Sequence, residues 1–256
     1  MSSLDYYLFP YLADNYGVLI HDRKSGATAA VDAGEAQALL DALDKKGWKL
    51  THLWITHHHW DHTDGLEAVK AATGCQVIGP SGSASPIAGL DRQVNGGDHF
   101  DFAGYEVQVI STPGHTTDMI NFYLPGEKVV FTGDTLFSLG CGRIFEGTPA
   151  MMWKSLSKFL DMPADTVVYS AHEYTASNAA FALTVDPDNA QLQKRVEQIS
   201  KLRADGKPTV PSTLDEEFAT NPFLRASDAS IRAHLGMRDA SDEEVFTEIR
   251  KRKDQA

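Results

Sequence analysis

Within Thr56-His57-His58-His59-Trp60-Asp61-His62, the imidazoles at 57, 59 and 62 and the carboxylate at 61 put borderline nitrogen and hard oxygen donors on one short stretch. Such a set suits zinc, iron or manganese. On a strand, residues 57 and 59 share a face; just past a strand the chain can curl, so that 57 and 59 serve one ion and 61 and 62 its neighbour. His58 falls out of that alternation and is read as a non-ligand. A solvated polar loop is the ordinary account of a lone histidine, but titratable groups clustered this tightly mark a site.

Further donors are spaced along the chain. His115 follows the apolar run Glu106–Ser111, Asp134 follows Val129–Thr132, and His172 follows Thr166–Tyr169. Each sits past the carboxyl end of an expected strand, where layered α/β folds place ligands. Gly114 and Gly133 precede two of them, as expected of turns that bring backbone close to a metal. A carboxylate at 134 is suited to bridging two cations about 3.5–4 Å apart, the arrangement of two-metal hydrolases.

The elements that must position these groups are legible to about residue 171 as a mixed α/β pattern. Strands are expected at Gly17–Ile20, Ala29–Asp32, His52–Ile55, Gln76–Ile78, Glu106–Ser111, Ile120–Leu124, Val129–Thr132 and Thr166–Tyr169, and helices at Ala36–Lys46, Gly65–Ala72 and Ala150–Leu160. After His172 the strand signals stop. Helices are expected at Tyr174–Leu183, Pro187–Ala204, Ala229–Leu235 and Glu243–Lys253, with Asp186 capping the second and a Ser241/Glu244 capping box opening the last. Lys207–Pro211 reads as a loop. The division is therefore into a catalytic domain, 1–171, and a smaller α-helical domain, 172–256.

Composition narrows the partners. At 256 residues with 42% hydrophobic and 23% charged side chains, the chain buries a full core without a disulfide or metal. A net charge of −12 argues against nucleic acid, whose affinity comes from Lys and Arg releasing counterions. The opening residues lack a basic region before their apolar stretch and contain Asp5 and Pro10, so neither an export signal nor a membrane span is read there and a cytoplasmic protein is expected; separately, a monomer is expected. Cys75 and Cys141 are read as packed or loop thiols.

The pattern His57-x-His59-x-Asp61-His62, then His115, Asp134 and His172, resembles the metallo-β-lactamase superfamily. The resemblance implies a four-layer αββα sandwich, here α/β (α+β) with a small C-terminal helical domain. It also implies two divalent ions, zinc foremost with iron or manganese as alternatives: His57, His59 and His115 on one, Asp61, His62 and His172 on the other, and Asp134 bridging. Flanking sequence narrows the family. Cys141–Thr148, His172-Glu173-Tyr174-Thr175, Asn221-Pro222-Phe223-Leu224-Arg225 and the basic end from Arg250 together resemble glyoxalase II, the hydroxyacylglutathione hydrolases.

That resemblance implies a 2-hydroxyacyl thioester of glutathione as substrate, typically S-D-lactoylglutathione, cleaved to glutathione and D-lactate in the second step of methylglyoxal detoxification. Asp61 and Asp134 would act with a hydroxide shared by the metals. Arg143, Phe145, Tyr174, Arg250 and Lys253 match the family's glutathione contacts, although Phe145 lacks the hydroxyl that some members carry there. Cations in a last helical turn also complement the helix dipole without any ligand. A thiolate leaves readily, so no catalytic triad or spare buried acid is sought. The competing readings are a mononuclear-iron glutathione persulfide dioxygenase and a non-catalytic metal-binding protein.

Overall fold

Trp54 shows how the first part of the chain builds its core. In the strand β4 (His52–Trp54) side chains alternate between faces. Leu53 joins Leu39, Leu43, Leu66 and Val69, the buried stripes of the helices α1 (Ala36–Lys46) and α3 (Leu66–Thr73). Trp54, fully buried, points the other way, its ring 5.4–5.5 Å from those of Phe100, Phe102 and Phe122. One strand thus has a helical layer on one side and a second sheet on the other. Full burial of such rings is worth about 1.5–3 kcal/mol each.

The computed structural model describes residues 2–82 and 85–256. They form two compact units, the described residues up to 111 with 116–133, and residues 112–115 with 134–256. In the first, β1 (Leu4–Tyr11), β2 (Asn15–Asp22), β3 (Thr28–Val31), β4, β5 (Gln76–Pro80) and β6 (Arg92–Val94) lie in sequence order in one sheet, antiparallel to β3 and parallel beyond it. A short helix, α2 (Trp60–Thr63), precedes α3. The second layer is an antiparallel meander, β7 (His99–Phe102), β8 (Tyr105–Ser111), β9 (Ile120–Leu124) and β10 (Val129–Gly133).

The second unit opens with a hairpin, β11 (Leu136–Phe137) and β12 (Gly140–Cys141), and the helix α4 (Pro149–Ser157), which tightens into a 3-10 turn over Lys158–Asp161. It continues through β13 (Val167–Ser170), α5 (Thr175–Val185), α6 (Ala190–Ala204), β14 (Ser212–Thr213), α7 (Leu214–Thr220), α8 (Ala229–Leu235) and α9 (Asp242–Asp254). Leu139, Ala179, Ala182, Leu192 and Ile199 form one core. Rings of Trp153 on α4 and Phe246 on α9 lie 5.7 Å apart.

Several expectations need correction. The residues before Leu12 form β1, missed because Pro10 and a half-buried run blur its alternation. The helix expected from Pro187 begins at Ala190, because Asn189 takes the cap: its Oδ1 accepts from the amides of Gln191 and Leu192. Asp186, the expected cap, instead accepts from Asn189 Nδ2 at 2.7 Å and pairs with Arg225 at 3.3 Å. Strands do not end at His172, since β14 pairs with β13. The Ser241/Glu244 capping box is present as read. Both cysteines are free and buried. Among the described residues no helix is long and apolar enough to cross a membrane.

Candidate metal centre

The first unit gathers His57, His59, Asp61 and His62 where the chain leaves β4 and turns into α2. His57 and His62 are fully buried, with ring centroids 4.2 Å apart. His57 Nε2 lies 3.1 Å from His59 Nδ1, and His62 Nε2 lies 3.3 Å from Asp61 Oδ2. Asn15 Nδ2 donates to Asp61 Oδ2 at 3.0 Å, and the Tyr11 hydroxyl donates to the Asp61 carbonyl at the same distance. A side chain at position 34 would collide with that carbonyl, since a Cβ on Gly34 would stand 1.9 Å from it. His58 turns aside to the buried Asp118, Nδ1 to Oδ1 at 2.9 Å.

Sequence reasoning passed over the residue that organises this half. Asp32, directly after β3 and in the left-handed region (φ 60°), is buried. Its oxygens accept from the Thr56 amide (2.8 Å), the Thr56 hydroxyl (2.9 and 3.1 Å) and His62 Nδ1 (2.8 Å). Buried carboxylates outside the expected ligand set are thus present, Asp32 and Asp118 among them, and each accepts from a histidine ring. The signal was available: Asp32 stands past the end of an apolar strand, as Asp134 does.

The second unit gathers His115, Asp134 and His172, all buried. Asp134 Oδ2 faces His115 Nε2 and Oδ1 faces His172 Nε2, each at 3.2 Å. One carboxylate thus presents a different oxygen to each of two imidazoles. His115 Nδ1 donates to the Arg143 carbonyl at 2.7 Å. The loop carrying Arg143 approaches closely enough that a Cβ on Gly142 would stand 1.9 Å from the Asp134 carbonyl.

Hydrogen-bond partners assign the ring protons. A carboxylate only accepts, so the Thr56 hydroxyl donates to Asp32 and is left to accept from His57 Nδ1 at 3.0 Å. His62 Nδ1 donates to Asp32 and His115 Nδ1 to a carbonyl. In the neutral form of all three rings the proton is therefore on Nδ1 and the lone pair on Nε2, the tautomer set by outer-shell acceptors around metal-binding histidines. The Nε2 lone pairs of His62 and His115 then meet Asp61 and Asp134 oxygens at 3.3 and 3.2 Å, an acceptor facing an acceptor. A divalent cation relieves that conflict, and the donor set fits one.

Comparison with known proteins places this chemistry in a family. The metallo-beta-lactamase superfamily profile matches residues 24–172, and the profile of the hydroxyacylglutathione hydrolase C-terminus matches residues 173–256. A hydroxyacylglutathione hydrolase of Brucella ovis is 57% identical over 242 residues, 94% of each chain. The chain belongs to the hydroxyacylglutathione hydrolase family. Its fold is the metallo-β-lactamase fold with the family's C-terminal helices. The crystal structure of ETHE1 from Myxococcus xanthus superposes with a TM-score of 0.68 at 25% identity, covering 96% of this chain and 90% of that one. BLEG-1 B3 metallo-beta-lactamase shares the fold with a TM-score of 0.65 at 20% identity, over 86% of this chain and 99% of its own.

The residues expected to contact glutathione, Arg143, Phe145, Tyr174, Arg250 and Lys253, lie in the second unit of this hydroxyacylglutathione hydrolase family member, and they differ in exposure. Tyr174 stacks on His172 with centroids 4.7 Å apart and rings near parallel, and Phe137 stands edge-on to both. Phe145 is 61% exposed and lies against His115. Arg143 is exposed, its Nε 3.7 Å from Asp254 Oδ1. Arg250 is buried: Nη1 donates to the Cys141 carbonyl (3.0 Å), Nη2 donates to Asp254 (2.7 Å), and the guanidinium lies over Phe223. Burial pushes the Cys141 thiol up to about 11, so it stays protonated at neutral pH. Lys253 Nζ donates to Ser177 Oγ at 3.1 Å, and partial burial followed by the Arg250 charge lowers its pKa.

Proposed function

We propose that this chain hydrolyses the thioester of S-(2-hydroxyacyl)glutathione, typically S-D-lactoylglutathione, to glutathione and a 2-hydroxy acid, at a centre of two divalent ions, most suitably zinc. The observation that carries the substrate is the 57% identity over 94% of both chains, which includes the C-terminal helices as well as the metal motif. The metal motif alone is shared across many reactions.

In this reading His57, His59 and His115 would hold one ion, Asp61, His62 and His172 the other, and Asp134 would serve both. The separate facing of the Asp134 oxygens supports the bridge. Two such cations supply a hydroxide at neutral pH and a Lewis acid for the thioester carbonyl. The chain's own residues do the rest. Asp32 and the Arg143 carbonyl hold the Nδ1 protons of His62 and His115, so that the neutral rings present Nε2 as the donor to a metal. Asn15 holds Asp61 so that Oδ2 stays beside His62 Nε2, where it would also orient an attacking oxygen. The glutathione thiolate, whose acid has a pKa of about 8.5, leaves without a protein proton donor.

Glutathione carries two carboxylates, and exposed Arg143 and half-buried Lys253 are the cations that would meet them, with the Tyr174 and Phe145 rings as walls. Arg250, its Nη groups already donating to Cys141 and Asp254, contributes charge from beneath and holds Asp254. We place the enzyme in the cytoplasm as a monomer; its two free buried thiols suit a reducing compartment. The test follows S-D-lactoylglutathione hydrolysis beside elemental analysis of the same preparation. Turnover that rises with metal content to two per chain and is lost on chelation is expected. Two bound metals without turnover would overturn the substrate, and full turnover without metal would overturn the centre.

A further inference from the structure

His58 stands between two expected ligands and is not one of them, yet it is well held. Its Nδ1 lies 2.9 Å from Oδ1 of Asp118, a carboxylate whose side chain is wholly shielded from solvent while that of His58 is 12% exposed. A carboxylate accepts only, so the ring donates. Asp118 follows His115 by three residues, and Asn121, three further on, donates Nδ2 to the Thr132 carbonyl at 2.9 Å, just before Gly133 and Asp134. The backbone adds a parallel tie, Ile120 N to the Thr56 carbonyl at 3.0 Å. Gly133 comes so close to Thr56 that a Cβ there would meet its Oγ1 at 2.9 Å. The segments that lead to the ligands are therefore stitched to one another by groups outside the ligand set, and His58–Asp118 is the only charge-assisted stitch between side chains among these contacts.

We propose that Asp118 and His58 form a positioning pair: by pinning the residue between His57 and His59 to the segment that follows His115, they fix the backbone from which those ligands project. The alternative, a pair that merely adds stability, is distinguishable. Fixing the ligands acts on metal affinity, whereas plain stabilisation acts equally with and without metal. Outer-shell partners of metal ligands carry about 10- to 100-fold in affinity, and this pair, one bond further from the ligands, is expected at the lower end.

The inference rests on the two-metal reading, and the experiment separates the two. Zinc is titrated against a competing chelator for the parent, D118A, D118N, H58Q and H58Q/D118A, and melting is followed with and without zinc. Expected are two zinc equivalents in the parent, one of them weakened about tenfold in D118A and H58Q, and no further loss in the double variant. D118N, which retains an acceptor for the ring, recovers most of the affinity. The rise in Tm that zinc gives shrinks in D118A and H58Q. Parental zinc affinity in both single variants, additive losses in the double variant, or an unchanged zinc-induced rise in Tm would each overturn the pair while leaving the metal centre standing. A parent that binds no zinc would overturn both. Should D118A fail to fold, H58Q, altered at a partly exposed side chain, carries the same comparison.

Discussion

Replacing Asp32 by Asn is the most informative perturbation, because it keeps shape and changes only what the carboxylate can accept. Asp32 takes hydrogen bonds from the Thr56 amide, the Thr56 hydroxyl and His62 Nδ1. An amide offers one accepting oxygen and one donating NH2. With the oxygen toward the Thr56 amide, the NH2 faces His62 Nδ1, which must then accept; the ring proton moves to Nε2, the atom 3.3 Å from Asp61 Oδ2. The opposite rotamer sets NH2 against the Thr56 amide. Either way one charge-assisted bond is lost, about 1.5–3 kcal/mol, which for a chain of this size lowers Tm by about 3–12 °C. Zinc affinity at the site served by His62 falls about 10- to 100-fold, and kcat falls with occupancy. Nitrogen-15 NMR of the metal-free histidines reads the tautomer directly, and chelator competition reads the affinity. D32N with parental tautomers, two tightly held zinc ions and parental kcat would refute the argument.

Three further outcomes are expected. Arg143→Ala and Lys253→Ala each raise KM for S-D-lactoylglutathione about fivefold with little change in kcat, since an exposed charge pair is worth about 1 kcal/mol; steady-state kinetics at low and high salt check this, and the effect shrinks with salt. Phe145→Tyr restores a hydroxyl beside His115 and lowers KM by up to about fivefold, one hydrogen bond of about 1 kcal/mol, at unchanged kcat. Asp22, bonded by Ser3 and Ser25, has its carboxyl held well below its ordinary 3.8. A depressed folded pKa means stability present above the unfolded value and lost as pH falls through the folded one. The Tm gap between the parent and Asp22→Asn is therefore constant at neutral pH and narrows below about pH 4, as melting against pH will show.

Much of this was legible because donors at strand ends obey a simple positional rule. That rule, applied to His115, Asp134 and His172, also describes Asp32, which went unread because one Asp after a strand carries no motif. What it does is visible only when β3 and the turn after β4 are adjacent, a pairing fixed by sheet order. Similarly, Asp186 and Asn189 are equally good caps by type; the choice between them was made by Arg225, distant in sequence. β1 escaped because half-burial erases period-two alternation, whereas α1 and β9 match their expected bounds because their patterns are clean. Arg250 and Lys253 share a helix face as their spacing requires, yet one is buried and the other reaches Ser177, a difference that spacing does not encode.

The contact between α4 and α9 bears on how such a gene tolerates damage. A stop codon just past His172 would spare the codon of every proposed metal ligand, yet the product would present Trp153 without Phe246 and Leu139 without Ala179, Ala182, Leu192 and Ile199. Such bared apolar surface marks a chain for aggregation or proteolysis. Messages cut short there would yield an inclusion body or a degradation substrate, and a frameshift between the codons of His172 and Phe246 would act in the same way.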